Sequence, residues 1–283
     1  MKVGLVLGGG GARGLAHIGV IRALEEFDIQ VVAISGCSIG AIIGAFYAAG
    51  KTAGEMQELV TYLPYRKLLH LGELGGLIGG KGIEAFLAAH LPPTFEELDL
   101  PLSMTAVDVQ EGKLLVLRSG QLIPAIKASS ALPGILSPVK YGGRYLVDGG
   151  VLNNLPVDII SSMTLAPVIA VDVAAPHNRR LGFESKETHM LDQVGEILQG
   201  KRNPLDSLLA RGLTLELFMK AFDVPQRVVT EMRLSMHPPE LLIRPELDSQ
   251  LGIEDFRHAQ VAIEQGYQAA KQALAGWLNR DVI

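Results

Sequence analysis

The N-terminal part of the chain alternates between apolar strand-like runs and helical patterns, with glycines at each change. Residues 3–7 and 31–35 are short and apolar, which favours buried strands. Residues 14–27 carry apolar side chains at helical spacing, and residues 39–49 are small, apolar and compatible with a helix. Strands that alternate with helices in this way pair in parallel and are covered by those helices. The chain is therefore predicted to be an α/β protein with a mainly parallel central sheet.

The remaining sequence extends this sheet and then becomes mainly helical. We predict hairpins over 102–117 and 141–147, further strands over 168–173 and 241–243, and helices over 55–63, 83–90, 123–129, 205–236 and 253–278. The glycine-rich residues 71–82 predict a mobile loop, and the polar residues 177–200 are predicted to begin irregularly. Because the pattern changes after residue 175, we predict a core over residues 1–175. A mainly helical region over residues 176–283 would pack on this core or form a lid over it.

Composition argues against several classes of protein. The chain has 283 residues, of which 48% are hydrophobic and 19% charged, so it can bury a large core and is not predicted to be disordered. Its net charge of −5 argues against nucleic acid as the main partner, because binding phosphates needs a basic surface. No apolar run is long enough to suggest a membrane span. The single cysteine argues against a disulfide or a cysteine zinc cluster, and the N-terminus does not resemble a signal peptide, so we expect a cytoplasmic protein.

The motif Gly36-Cys37-Ser38-Ile39-Gly40 lies between the second predicted strand and the second predicted helix. A serine between glycines at a strand–turn–helix junction is typical of a nucleophile elbow, in which a strained turn exposes the hydroxyl. The glycines are needed because strand and helix cross too closely there for a Cβ atom. Ser38 is therefore the candidate nucleophile. Cys37 is a rival, but we expect it to point away from the site and to be buried and unreactive.

A second glycine-rich turn, Gly9-Gly10-Gly11-Ala12-Arg13-Gly14, follows the first predicted strand and has two interpretations. A dinucleotide-binding loop would need an acidic residue at the end of the second strand, where the sequence has Ile34-Ser35-Gly36. That interpretation is the weaker one. In the other, the successive backbone N–H groups of Gly9, Gly10 and Gly11 form an oxyanion hole beside Ser38. Arg13 either braces this loop, attracts an anionic head group, or is an ordinary surface cation.

Three aspartates compete for the role of proton acceptor. Asp148-Gly149-Gly150 ends an apolar strand, and a carboxylate there could accept the proton of Ser38. An aspartate at a hairpin exit is also a common turn residue, which is the plainer interpretation of Asp148 taken alone. Asp108 and Asp172 also follow strand segments.

The histidines do not complete a Ser–Asp–His triad in an obvious way. Four of them follow the last motif in the chain, and none lies in a glycine-flanked loop after a clear strand, although the first comes closest: His177, His189, His237 and His258. His17 lies on the first predicted helix and is expected to be structural. A two-residue Ser–Asp arrangement is therefore favoured over the triad of the α/β-hydrolases.

Together, the motifs at residues 9–14, 36–40 and 148–150 resemble those of the patatin-like phospholipase family, in particular its bacterial members related to the neuropathy target esterase catalytic domain. Residues 128–134, 137–139 and 153–156 add to the resemblance. It implies a three-layer α/β/α fold and a Ser–Asp dyad, with Ser38 as nucleophile, Asp148 as base and the amides of residues 9–11 as oxyanion hole. The supporting motif positions are Arg13, Gly14, Gly36, Gly40, Gly149 and Gly150. Cys37 and Ile39 fill variable positions, where threonine and a smaller residue are frequent.

The residues and the resemblance together predict a serine esterase that cleaves lipid or lysolipid acyl esters through an acyl-enzyme, without a metal or a cofactor. The alternative is a non-hydrolytic regulatory protein that retains the fold. The apolar side chains of residues 205–236, which include Leu217 and Phe218, either form a lid or membrane-facing surface or pack on the core. Any membrane contact would be peripheral, at the inner face.

Overall fold

The computed structural model describes residues 1–62, 81–174, 221–247 and 258–279. By its contacts the chain forms two units, one of Met1–Ala174 with Gln226–Ile283 and one of Ala175–Pro225, of which only residues 221–225 are described. The predicted irregular stretch at 177–200 and residues 205–220 of the helix predicted over 205–236, with Leu217 and Phe218, lie outside the described residues. The predicted division after residue 175 stays a prediction.

Within the described residues, eight strands form one mixed, mainly parallel sheet, as predicted. The strands are β1 (Lys2–Leu7), β2 (Gln30–Gly36), β3 (Leu102–Asp108), β4 (Lys113–Leu117), β5 (Val139–Tyr141), β6 (Arg144–Asp148), β7 (Val168–Val171) and β8 (Leu241–Ile243). Their order is β5-β6-β3-β2-β1-β7-β8, and β4 pairs with β3. The pairs β1–β2, β1–β7, β2–β3 and β7–β8 are parallel. The two predicted hairpins, β3–β4 and β5–β6, are antiparallel, and so is β3–β6.

The described helices cover both faces of the sheet. They are α1 (Ala16–Glu26), α2 (Ile39–Ala48), α3 (Ala53–Tyr62), α4 (Lys81–His90), α5 (Leu122–Ser129), α6 (Val157–Ile160), α7 (221–236) and α8 (Ala259–Leu278). The helix predicted from residue 14 is divided into a 3-10 turn (Gly11–Leu15) and α1. Gly82 belongs to α4 and not to the predicted loop, which otherwise lies outside the described residues. None of the described helices is both long and apolar enough to cross a membrane.

Two apolar clusters lie on the two faces of the sheet, because successive side chains of a strand point to opposite faces. Val3, Leu5 and Leu7 of β1 belong to a large cluster with the apolar faces of α1, α2 and α8. Val6 belongs to a smaller cluster with α6 and with Leu234 of α7. The protein is therefore a three-layer α/β/α structure, as the resemblance implied.

Candidate active site

The register of β3 brings the ends of β2 and β6 together. One edge of β3 pairs with β4 over residues 104–108, so β2 and β6 share the other edge. Gly36, the last residue of β2, pairs with Met104, and Asp148, the last residue of β6, pairs with Ala106. Because β2 is parallel and β6 antiparallel to β3, their C-terminal ends point toward each other. Residues two apart on a strand are separated by about 7 Å, so the turn after Gly36 meets Asp148.

Ser38 occupies the strained corner between β2 and α2. Its φ of 54° is one that non-glycine residues rarely adopt, at a cost of about 1–3 kcal/mol. The Cys37 N–H donates to the Leu7 carbonyl and the Ser38 N–H donates to Ser129 Oγ, each over 3.1 Å. A Cβ atom on Gly40 would overlap the same Leu7 carbonyl. These contacts hold the turn in its strained form, as a nucleophile elbow requires.

Asp148 is buried beside Ser38, with 3% of its surface exposed. Its Oδ1 accepts hydrogen bonds from the Gly150 N–H over 2.7 Å and from Cys37 Sγ over 3.5 Å. Burial raises the pKa of Asp148 above its ordinary value, although hydrogen bonds from Ser38, Gly150 and Cys37 act in the opposite direction. No cation pairs with this carboxylate among the described residues. A carboxylate with a raised pKa is a stronger base than an exposed aspartate.

The expected orientation of Cys37 is wrong, because its side chain contacts Asp148 and does not point away from the site. The thiol donates to this carboxylate, and Thr105 of β3 also influences its pKa. Burial first, and then the neighbouring carboxylate, raise the pKa of Cys37 well above its ordinary range. The thiol therefore stays protonated, as expected of an unreactive cysteine, and acts as a donor to Asp148.

The glycine loop after β1 lies beside Ser38, and a Cβ on Gly9 would be 3.2 Å from the Ser38 Cβ. The Gly9 N–H, however, donates to the Asn154 carbonyl over 3.2 Å, which removes it from the predicted oxyanion donors. The amides of Gly10 and Gly11 donate to no acceptor among the described residues. The predicted donor set is thus corrected to these two amides.

Arg13 and Gly14 support the glycine loop from the 3-10 turn that follows it. Arg13 is 3% exposed and its Nε donates to the Gly10 carbonyl over 3.2 Å, so it braces the loop and is not a surface cation. A Cβ on Gly14 would overlap Cγ2 of Ile39, the residue after Ser38. The glycine loop and the elbow therefore pack against each other. Gly149 and Gly150 form the short 3-10 turn that begins after Asp148.

The two competing aspartates have other partners. Asp108 accepts hydrogen bonds from Arg144 and from the Gln110 N–H, each over 3.0 Å. Burial acts to raise the pKa of Asp108, but these hydrogen bonds outweigh it and lower the pKa. Asp172 accepts from Arg244 over 3.0 Å and from the Ala174 N–H over 3.1 Å. Asp148 is therefore the one of the three that the structure brings to Ser38.

None of the described histidines lies at the Ser38–Asp148 pair. His17 is buried, and its Nε2 donates to the Gly8 carbonyl over 2.8 Å. Burial lowers the pKa of His17 to about 4, so the ring is neutral and structural, as expected, although Nδ1 has no partner within the described part of the chain. His237 and His258 are exposed, and His177 and His189 lie outside the described residues.

Two buried polar residues were not predicted to take part in the site. Ser129 accepts the Ser38 N–H, and Asn154 binds Gly9. Each belongs to a pair of adjacent polar residues in an otherwise apolar stretch, Ser129-Ser130 and Asn153-Asn154, and all four are buried. Such a pair is the signal that sequence analysis could have used, because a polar side chain is rarely buried without a specific partner.

Several known proteins resemble this chain in sequence or in fold. The model of the patatin-like phospholipase family matches residues 5–160. An uncharacterized NTE family protein of Mycobacterium bovis is 32% identical over 96% of this chain and 46% of its own length. Lysophospholipase NTE1 of Cryptococcus neoformans is 35% identical over 62% of this chain and 11% of its own length. The crystal structure of VipD from Legionella pneumophila superposes with a TM-score of 0.50, covering 97% of this chain and 67% of that one at 15% identity.

The fold is a three-layer α/β/α architecture in which a serine follows the second strand of a mainly parallel sheet. The chain belongs to the patatin-like phospholipase family and is related to its NTE members. It spans less than half the length of the mycobacterial relative.

Proposed function

We propose that the chain is a serine esterase that hydrolyses acyl esters of lipids or lysolipids with a Ser38–Asp148 dyad. The observation that carries the proposal is the position of Ser38 in a strained turn beside the buried carboxylate of Asp148, whose pKa is raised. Family membership supports lipid esters as the substrate class. The fungal relative is named a lysophospholipase, so a lysophospholipid is the first substrate to test.

In the proposed reaction, Ser38 Oγ attacks the ester carbonyl carbon and its proton passes to Asp148. The carbonyl oxygen becomes an oxyanion and accepts hydrogen bonds from the Gly10 and Gly11 amides. Collapse of this intermediate breaks the ester bond, and the leaving alcohol takes the proton from Asp148. Water then attacks the acyl-enzyme, again giving its proton to Asp148, and release of the carboxylic acid returns the proton to Ser38.

A fluorophosphonate probe tests the nucleophile directly, because it phosphonylates an activated serine. We expect the wild-type protein to be labelled at Ser38 and the Ser38→Ala variant not to be labelled. The wild type should also release fatty acid from lysophosphatidylcholine, and Asp148→Asn should reduce this rate by at least about a hundredfold, as loss of a general base does. Labelling that persists in Ser38→Ala would contradict the proposed nucleophile.

The same experiment separates the enzyme from the alternative of a regulatory protein that retains the fold. A regulatory protein would neither be labelled nor hydrolyse short-chain aryl esters or lysophosphatidylcholine. Cys37 does not offer a second nucleophile, because its pKa is raised and its thiol is directed at Asp148.

We further propose that the protein contacts its lipid substrate peripherally, at the inner face of the membrane, through α7. Val228, Met232 and Met236 are each more than half exposed and recur at a spacing of four, so they form an apolar stripe along one side of the helix. The opposite side carries Leu234, which is buried in the smaller apolar cluster, and Arg233 beside it donates to the Leu152 carbonyl and pairs with Asp158.

Co-sedimentation with phosphatidylcholine vesicles tests this contact. Replacing the three stripe residues by serine should reduce binding, whereas Val261→Ser on α8, which also replaces an exposed valine, should not. Equal binding by the two variants, or no binding by the wild type, would remove the proposed contact. Neither outcome would affect the proposed dyad.

A further inference from the structure

Asn154 holds the glycine loop by two hydrogen bonds to a single residue. Its backbone carbonyl accepts the Gly9 N–H over 3.2 Å, and its side-chain Nδ2 donates to the Gly9 carbonyl over 3.1 Å. The peptide units on both sides of Gly9 are thereby fixed, and the Gly9 carbonyl belongs to the peptide that also carries the Gly10 N–H. We propose that Asn154 is a positioning residue that sets the oxyanion donors Gly10 and Gly11 relative to Ser38. The proposal rests on the function proposed above.

The same side chain links the glycine loop to the turn after Asp148. A Cβ built on Gly150 would lie 3.1 Å from Asn154 Oδ1 and 3.1 Å from Asp148 Oδ1. A Cβ on Gly9 would overlap Asn154 Oδ1 and lie 3.2 Å from the Ser38 Cβ. The Asn154 amide group therefore lies between the loop beside the nucleophile and the turn beside the base, and it fixes the spacing of the two.

The contact with Gly9 is made by a buried side chain that has one hydrogen-bonded polar atom among the described residues. The residue is 2% exposed, and its Oδ1 has no partner within the described part of the chain. A buried acceptor without a partner destabilises the folded state. The side chain thus leaves one polar atom unpaired among the described residues, while the other donates to the Gly9 carbonyl.

Asn153 provides a matched control for this role. It is also fully buried, its Nδ2 also donates one hydrogen bond, to Asp158 over 2.8 Å, and its Oδ1 is also unpaired among the described residues. Its side chain forms no described hydrogen bond with the glycine loop. Replacing either asparagine by alanine therefore removes similar side-chain interactions from the core, but only the Asn154 variant frees the Gly9 carbonyl, while the backbone bond from the Gly9 N–H remains.

The experiment compares Asn154→Ala, Asn154→Leu and Asn153→Ala by two measurements. One is the second-order rate of labelling of the whole chain by a fluorophosphonate probe, whose phosphonyl oxygen occupies the oxyanion position. The other is the Tm. Loss of one oxyanion donor slows catalysis by about 10²–10³-fold, so misplacing two donors without removing them should slow labelling by roughly 10–100-fold. We expect this loss in both Asn154 variants, together with a similar loss in kcat for a short-chain aryl ester at little changed KM.

Asn153→Ala should lower the Tm by about as much as Asn154→Ala and leave the labelling rate within about threefold of wild type. Asn154→Leu removes both polar atoms but retains volume, so it should be the more stable Asn154 variant and still label slowly. The proposal is overturned if Asn154→Leu is labelled at the wild-type rate, or if both alanine variants lose labelling by the same factor. If the wild type is not labelled at Ser38 at all, the proposed function fails instead, which is a separate outcome.

Discussion

The strained turn at Ser38 depends on one side chain from a distant helix. Ser129, the last residue of α5, is fully buried, and its hydroxyl oxygen accepts the Ser38 N–H over 3.1 Å. The φ of 54° at Ser38 stores about 1–3 kcal/mol of strain, which persists only where neighbouring contacts maintain it. Ser129→Ala removes this acceptor and leaves the rest of the turn in place.

The expected effect on stability follows from the unpaired donor. A buried N–H group that loses its partner destabilises the folded state by about 1–3 kcal/mol. One kcal/mol corresponds to a shift of about 2–4 °C in Tm for domains of 150–250 residues, so a fall of roughly 2–12 °C is expected for this chain. The turn should also relax, and a loss of about 1.4 kcal/mol in transition-state stabilisation would slow fluorophosphonate labelling tenfold.

Ser130→Ala is the control, because the hydroxyl of this neighbouring residue is buried but forms no hydrogen bond among the described residues. Ser130 is 2% exposed, and its Oγ has no hydrogen-bond partner among the described residues. Removing an unpaired buried hydroxyl relieves a desolvation penalty and costs little packing, so the Tm should be unchanged or higher by a few degrees, equivalent to about 1 kcal/mol.

The assay is thermal unfolding followed by circular dichroism, with labelling rates measured well below the transition. Equal Tm values for the two alanine variants would refute the reasoning, because the same atom is removed from adjacent buried positions and only the hydrogen bond differs. A fall in Tm without slower labelling would show that Ser129 stabilises the fold but does not maintain the elbow.

Three further predictions concern the base and the packing around it. Cys37→Thr should move the acidic limb of the pH–rate profile for a short-chain aryl ester to lower pH. A hydroxyl donates a stronger hydrogen bond to Asp148 than a thiol does, and so lowers the raised pKa of Asp148. An acidic limb that is unchanged or moves to higher pH would contradict this prediction. Asp148→Asn should raise the Tm at neutral pH. The pKa of Asp148 is higher in the folded than in the unfolded chain, so the wild type loses stability as the pH rises through the folded value, and the variant does not. The difference in Tm should vanish below about pH 4, where the aspartate is protonated in both states; a difference that grows toward acid pH would contradict the prediction. Gly14→Ala should lower the free energy of unfolding by about 1–3 kcal/mol, seen as a lower Tm, and should slow labelling, because its Cβ overlaps Ile39. Adding Ile39→Ala to this variant should restore part of the Tm and part of the labelling rate. If the effects of the two substitutions simply add, the contact is not the cause.

Local patterns were sufficient to predict the elements that carry the site. The strand–turn–helix junction around Ser38 was predicted from apolar runs and two glycines, and the structure has β2 and α2 at those positions. The two hairpins and β8 were predicted from the same kind of evidence. These features depend on neighbouring residues, so a short window of sequence contains the physical information that determines them.

Contacts between distant segments were not predictable in this way. Cys37 was expected to point away from the site, yet Asp148 lies more than a hundred positions further along the chain and contacts its thiol. Gly9 was expected to donate to an oxyanion, but its amide is taken by Asn154, which is equally remote in sequence. The identity of a residue indicates which hydrogen bonds it can form, but not which segment will be present to accept them.

The pairing of β6 with β3 is a feature that the local sequence pattern does not predict. The sequence of residues 141–147, with two glycines between short strand-like segments, predicts a hairpin, but it does not say which strand the hairpin joins or in which direction. Had β6 paired with β3 two residues further along, Asp148 would lie about 7 Å from its observed position. A hydrogen bond between Asp148 and Ser38 would then be out of reach. The proposed dyad therefore depends on the pairing of Ala106 with Asp148 and of Met104 with Gly36, and the sequence motifs supply only the two side chains that this register brings together.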